Sequence, residues 1–145
     1  MAETKYGKYI ITEPKPGLTL PSYRVDPKKD AREDIVTRLL YMDNDVVKGA
    51  FYCEVFWYLK ATDAPRTQAH THEYDEIAAY IGSNPQDPRD LGGEIEFWLE
   101  DEKHMLTKSS LIYIPRGMVH SPTYIRRVDR PIFHFTTGTG RMYSP

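Results

Sequence analysis

Apolar and aromatic residues in this chain come in runs of strand length, and proline or glycine cuts the chain between them, a pattern that suits an all-β sandwich or barrel. The strongest run is Phe51-Tyr52-Cys53-Glu54-Val55-Phe56-Trp57-Tyr58-Leu59, rich in the aromatic side chains that pleated surfaces accommodate, and it stops at Asp63-Ala64-Pro65. Further strands are expected over 67–72, 77–81, 95–99, 106–114 and 132–136. Residues 30–42 read two ways: Asp30-Ala31-Arg32-Glu33 suits a first helical turn, whereas Val36 to Tyr41 suits a strand. A short helical turn entering a strand is the reading adopted. Pro85, Pro88 and the Gly92-Gly93 pair exclude a central strand over 83–93 and make it an elongated loop, either a specificity-bearing rim or a tolerated surface insertion. Proline and glycine between Pro14 and Pro21 favour an extended arm over residues 1–30, ahead of a barrel over about 35–140 in a single-domain chain of 145 residues.

The net charge is −2 and the isoelectric point about 6.2, so neither nucleic acid nor an anionic membrane surface is favoured as a partner. Arg126-Arg127 and Lys28-Lys29 read as solvated faces. A single cysteine, Cys53, forbids an intrachain disulfide, and its place in an apolar run reads as a small buried hydrophobe. The N-terminal residues lack an apolar core of signal-peptide length, and no stretch is long and apolar enough for a membrane span. A cytoplasmic location is the expectation.

The chemistry concentrates in two segments. In His70-Thr71-His72-Glu73-Tyr74-Asp75-Glu76, strand parity puts His70 and His72 on one face with Thr71 turned away. Glu76 lies four residues beyond His72, close enough to return its carboxylate to the same cavity if the chain bends. In Pro115-Arg116-Gly117-Met118-Val119-His120, the histidine follows a Pro-x-Gly turn and is placed to supply a further ligand from a neighbouring strand. Three neutral nitrogens and one anionic oxygen suit a divalent first-row metal. The positive charge left over attracts an anionic or chelating oxygen ligand.

These segments resemble the two motifs of the cupin family, G-x5-H-x-H-x3/4-E-x6-G and G-x5-P-x-G-x2-H-x3-N. Gly82 follows Glu76 at about the family spacing, and Pro115, Gly117 and His120 fall in register. Ala64 and Ser109 replace the leading glycines and Tyr124 the terminal Asn, positions that shape turns or surround the metal and do not ligate it. The resemblance implies a double-stranded β-helix, the jelly-roll barrel, with one divalent metal on His70, His72, Glu76 and His120. It also implies a homodimer in which the N-terminal arm pairs with a second subunit.

Four protein ligands on an octahedral ion leave two adjacent positions. Iron(II) there would allow oxygen activation, and manganese or nickel would polarise an enediol, β-dicarbonyl or hydroxy acid. Four-coordinate zinc would be filled, and so structural or inert. Candidates for a catalytic role beside the metal are His134, Tyr124 and Arg116. If Phe133 and Phe135 fill the core, His134 points away from it; if they line the outer layer, His134 enters the barrel as an acid or base. Arg116 sits in the Pro-x-Gly turn, where it either contacts an anion or marks the rim. His104 follows a charged turn and faces solvent, while Glu73 and Asp75 are charge background. The leading functional expectation is a metal-dependent enzyme acting on a small organic molecule, dioxygenase-like ahead of isomerase or lyase. The alternative is a non-catalytic small-molecule-binding or regulatory module.

Overall fold

The computed structural model describes residues 4–15 and 35–140. The eight strands among them are β1 (Val36–Met42), β2 (Cys53–Tyr58), β3 (Glu76–Gly82), β4 (Asp90–Leu99), β5 (Glu102–Lys108), β6 (Ser110–Ile114), β7 (His120–Val128) and β8 (Ile132–Gly138). The one helical element among the described residues is a short 3₁₀ turn at Gly7–Tyr9. No helix among the described residues is long and apolar enough to cross a membrane.

The strands form two antiparallel sheets, β1-β2-β8-β3-β6 and β5-β4-β7, in the manner of a jelly-roll barrel. Period-two alternation makes the inner face of the larger sheet. In β2, Glu54, Phe56 and Tyr58 are buried, whereas Cys53, Val55 and Trp57 turn outward. Cross-strand register then sets the inward side chains in rows. Phe56, His134 and Tyr80 are opposite one another on β2, β8 and β3, and one step along lie Glu54, Thr136 and Ala78. In the opposite direction Tyr58 faces Ile132. The barrel is thus apolar at one end, where Leu91, Ile95, Ile125 and Ile132 pack, and polar at the end where Glu54 and Glu76 enter. Burying the apolar end contributes roughly 1.5–3 kcal/mol per large side chain, so the polar end can carry buried charge without being asked to hold the fold.

Several expectations are corrected. Residues 106–114 are not one strand: the chain breaks at Ser109 and passes from β5 in the smaller sheet to β6 in the larger. The bend carries no proline or glycine. Ser109 Oγ accepts the Gly82 amide and donates to the Pro88 carbonyl, which anchors it. The 83–93 segment is a loop only as far as Arg89, because Asp90 to Gly93 already belong to β4, the central strand of the smaller sheet. Gly93 is required there: a Cβ would collide with the Arg127 carbonyl oxygen and with Ile132 Cδ1. Strand β7 was expected only as the strand that carries His120, without bounds.

Most of the 1–30 arm and the proposed helical turn at 30–33 lie outside the described residues. Of the arm's described part, Lys15 reaches the body of the protein, with its Nζ 2.7 Å from Asp43 Oδ2 and 5.1 Å from the centre of the Tyr41 ring.

Candidate metal centre and cavity

The H-x-H segment is not a strand. It meets β7 at two isolated antiparallel bridges, Thr67 with Thr123 and His70 with His120. Both share one register, but between them Pro122 has no N–H to donate and Ser121 adopts a left-handed φ of 71°, so the ladder is interrupted. The bridges are enough to bring the histidines together. The ring nitrogens of His70, His72 and His120 all lie within 4.8 Å of one another. His70 Nε2 is 3.1 Å from His72 Nε2, and the rings of His70 and His120 are 4.2 Å apart at their centres.

The second nitrogens orient these rings. His70 Nδ1 lies 2.7 Å from the Gln68 carbonyl and His120 Nδ1 3.1 Å from that of Met118. A carbonyl only accepts, so each Nδ1 carries the proton and the Nε2 lone pairs are turned toward the common point. Glu76, first residue of β3, brings its Oε2 to 3.1 Å from His72 Nε2 and its Oε1 to 3.8 Å from His120 Nε2. The closer approach lacks the alignment of a hydrogen bond, and both Glu76 Oε2 and His120 Nε2 are buried without a hydrogen-bond partner. Orphaned acceptors converging in a buried space are a costly arrangement that a cation relieves. The donor set therefore fits a divalent metal. Burial is the largest influence on His120, and it holds the imidazole below its usual pKa against the opposing pull of Glu76 and the Met118 carbonyl. The ring is consequently neutral near pH 7, as a ligand must be.

The Pro-x-Gly turn is part of this frame. Gly117 takes a φ of 83°, and its amide donates to the His72 carbonyl at 2.9 Å. Asp75 accepts the Arg116 amide at its Oδ1 and, through its own carbonyl, the Thr139 amide. Asp75 is therefore a tie between the turn and the end of β8, not the charge background expected of it. Glu73 is exposed, as is His104, beside Glu102. Tyr74 stacks on His72 at 4.7 Å between ring centres and an interplanar angle of 11°.

Behind the histidines a narrow cavity runs into the barrel. Trp57 packs on Phe133 on the outer face of the larger sheet, so His134 points inward. It stacks on Tyr80 at 4.3 Å and on Phe56 at 5.5 Å, and its Nδ1 donates to the Ala79 carbonyl at 2.8 Å. That bond puts a proton on Nδ1 of a ring that lines the cavity. Burial, Tyr58 and Glu76 together push the Tyr80 phenol well above its usual pKa, so it keeps its proton. The other two candidates lie elsewhere. Tyr124 carries the Arg126 guanidinium 4.0 Å above its ring and does not line the cavity, and Arg116 is exposed on the turn.

Sequence reasoning missed two parts of the wall. Glu54 is 1% exposed, holds Arg38 Nε at 3.0 Å and accepts the Tyr52 hydroxyl at 2.5 Å, which in turn contacts Thr136 at 2.6 Å. Parity offered the signal, since Glu54 shares the inward face with Phe56 and Tyr58. Arg66 is the other, and nothing local in Pro65-Arg66-Thr67 marks it as buried. Cys53 is half-buried rather than buried; desolvation first and Glu54 second raise its thiol pKa, which keeps it protonated and unreactive near neutrality.

Two sheets closed face to face around a histidine-lined polar end define a cupin-type barrel. The chain has the cupin fold, and its His70, His72 and His120 form a group able to hold a metal ion. No family model matches the chain, and no curated relative does. Solved structures match it instead. An oxalate oxidase in complex with glycolate aligns with a TM-score of 0.52 and 9% identity, over 86% of this chain and 61% of its own. Another oxalate oxidase, in complex with the substrate analogue glycolate, gives 0.52 and 9% over 90% and 64%. A cupin-like protein from Thermotoga maritima gives 0.48 and 19% over 76% and 71%. At these identities the likeness is one of fold.

Proposed function

We propose that the protein is a metal-dependent enzyme acting on a small organic molecule. One divalent ion would be held by His70, His72, His120 and Glu76, with iron, manganese or nickel ahead of zinc. The observation that carries the reading is the pair of buried, unpartnered atoms, Glu76 Oε2 and His120 Nε2, set beside the other two imidazoles at a cavity that runs into the barrel. When bound, such an ion supplies Lewis acidity and, if iron, oxygen activation. The chain's own residues supply the rest. Phe56, Tyr58 and Phe97 exclude water and offer flat apolar surface to a substrate. His134, held at Nδ1 by the Ala79 carbonyl, and Tyr80, a protonated phenol stacked beside it, would be the acid–base pair of the cavity. An oxygenase is the first reading and an isomerase or lyase the second.

The test is elemental analysis of untagged protein purified without chelators, with oxygen uptake followed on the loaded protein. About one iron, manganese or nickel per chain, lost on His72→Ala, is the expected result. Metal content unchanged by His72→Ala would overturn the site. Absence of metal, or tightly held zinc alone, would turn the reading to a non-catalytic ligand-binding module.

A further inference from the structure

The outer face of the larger sheet carries no charged side chain. Cross-strand register sets its residues in three rows. The middle row runs Leu40, Val55, Phe135, Ala79 and Leu111 across all five strands. On one side of it stand Thr37, Trp57, Phe133 and Ile81, and on the other Met42, Cys53, Thr137, Ile77 and Tyr113. The smaller sheet follows the opposite rule, since Glu96, Lys103 and Arg126 share its outer face with Trp98. Antiparallel sheets turn polar side chains to water, so an uncharged outer face on one sheet of a chain whose other sheet obeys the rule is a surface built to be covered. At the side formed by β3 and β6 that face is open: Leu111 is 70% exposed, Tyr113 59% and Ile77 39%, with Phe51 at the edge 60% exposed. Phe51, Ile77, Tyr113 and Thr137 line an apolar groove there, and Leu111 stands one row along from it.

We infer that this face is the contact between two copies of the chain, packed sheet on sheet with Leu111 of each copy in the groove of the other. A protruding leucine and a groove side by side on one surface are self-complementary about a twofold axis, because each meets its counterpart at once. Five strands about 4.8 Å apart and three rows about 6.8 Å apart give roughly 500 Å² in plan. Side-chain relief and Phe51 at the edge raise that area to the order of the roughly 600 Å² per partner at which stable dimer interfaces begin. Two sheet faces align within about 30° and interdigitate their side chains, an arrangement that the uncharged rows permit. A partner with a charged surface would find no counter-charge on this face, whereas a second copy brings an equally apolar one. The net charge of −2 opposes self-association little. The contact uses neither the N-terminal arm nor the histidine cluster, so it stands apart from the proposed chemistry.

The experiment uses the untagged full chain in sedimentation velocity and light scattering, over protein concentrations from about 1 to about 100 μM. The wild-type protein is expected to show twice the 16.9 kDa of one chain, dissociating on dilution. Leu111→Glu and Leu111→Lys, opposite in charge, are each expected to weaken the dimer at least about tenfold, because either charge would be desolvated in the groove without a partner. Met105 is 42% exposed and lies opposite Glu96 on the outer face of the smaller sheet, so Met105→Lys should leave the dimer unchanged. Circular dichroism and urea unfolding of the dilute variants check that each one folds, which the exposure of Leu111 favours. A wild-type chain that stays monomeric at every concentration would overturn the inference with no variant needed. A dimer that survives both Leu111 substitutions would overturn it too, since the copies would then meet through another surface, the arm included. Dissociation by Met105→Lys to the same extent would place the contact elsewhere and be equally fatal.

Discussion

His70 and His120 are joined twice. Each backbone amide donates to the other's carbonyl, at 3.1 and 3.0 Å, and their rings stand 4.2 Å apart at the centres. The backbone bridge fixes the spacing of two candidate ligands that come from distant parts of the chain, whether or not an ion lies between them. Removing one ring should therefore not remove the frame. His120→Ala is expected to fold, with a change in metal-free stability within about 1–2 kcal/mol, because the lost packing is offset by removal of a buried nitrogen without a partner. Metal retention should fall at least about tenfold. Urea unfolding of metal-free protein beside metal competition with a chelator measures both. Unfolding on His120→Ala would mean that the imidazole itself holds the barrel together.

The Pro-x-Gly turn acts through backbone geometry. At Gly117 an added Cβ meets nothing within 4 Å, so Gly117→Ala carries only the conformational cost of a φ of 83°, about 1–2 kcal/mol. That cost can be relieved only by moving the amide that holds the His72 carbonyl. The expectation is a modest drop in the urea midpoint together with weaker metal retention. Gly117→Asn, which tolerates the left-handed region, should lie between the two proteins. Equal metal retention in all three would show that the turn does not position His72.

How much of this could be read in the sequence depends on how local each signal is. The Phe51–Leu59 alternation maps onto β2 because its inward aromatic row is a period-two pattern within one strand. Histidines 70, 72 and 120 were legible for another reason: their spacing resembles a known motif, although the segment holding the first two is not the strand that parity assumed. The Ser109 bend was invisible, since it is stabilised by hydrogen bonds to Gly82 and Pro88 from other parts of the fold rather than by proline or glycine. Asp90 to Gly93 were read as loop for the opposite reason, because a glycine demanded at position 93 by the close approach of Arg127 looks like punctuation. The side on which His134 falls was undecidable until Trp57 was seen to pack on Phe133 outside the sheet. Arg66 is buried by the barrel as a whole, and no neighbour in sequence announces it.

On the outer face of the smaller sheet, Glu96 takes a hydrogen bond from Trp98 Nε1 at 2.8 Å and two from Arg126, at 3.1 and 3.0 Å. The Trp98 bond first, then Arg126, lower its carboxyl pKa below the ordinary 4.5, against the opposing effect of burial. A depressed folded-state pKa means that the ionised carboxylate favours the fold above the ordinary value, and that this contribution disappears as pH falls below it through the folded value. Glu96→Gln should therefore cost stability at pH 7, by less than about 1 kcal/mol because Arg126 is partly exposed, and lose that deficit in acid. Urea midpoints of both proteins at pH 7 and pH 3 measure this. A deficit that grows in acid would contradict the assignment.

At the cavity wall, Arg38 is a charged partner of the buried Glu54. Its Nε lies 3.0 Å from Glu54 Oε2, with the arginine side chain 21% exposed and the carboxylate 1%. Removing the guanidinium takes a charged partner from a carboxylate set in a low-dielectric wall, and the Tyr52 hydroxyl is a weaker partner than the guanidinium. Arg38→Met is expected to destabilise by about 2–4 kcal/mol, below the full cost of breaking a wholly enclosed pair because water reaches Arg38. Replacing the carboxylate as well should restore much of the loss, since Glu54→Gln leaves no charge behind and its amide can still meet Tyr52. The double variant should accordingly be more stable than Arg38→Met alone, with a coupling of about 1–3 kcal/mol in a double-mutant cycle. Additive single effects would mean that Arg38 and Glu54 act independently, and that Glu54 draws its tolerance from its other contacts, the Tyr52 hydroxyl among them.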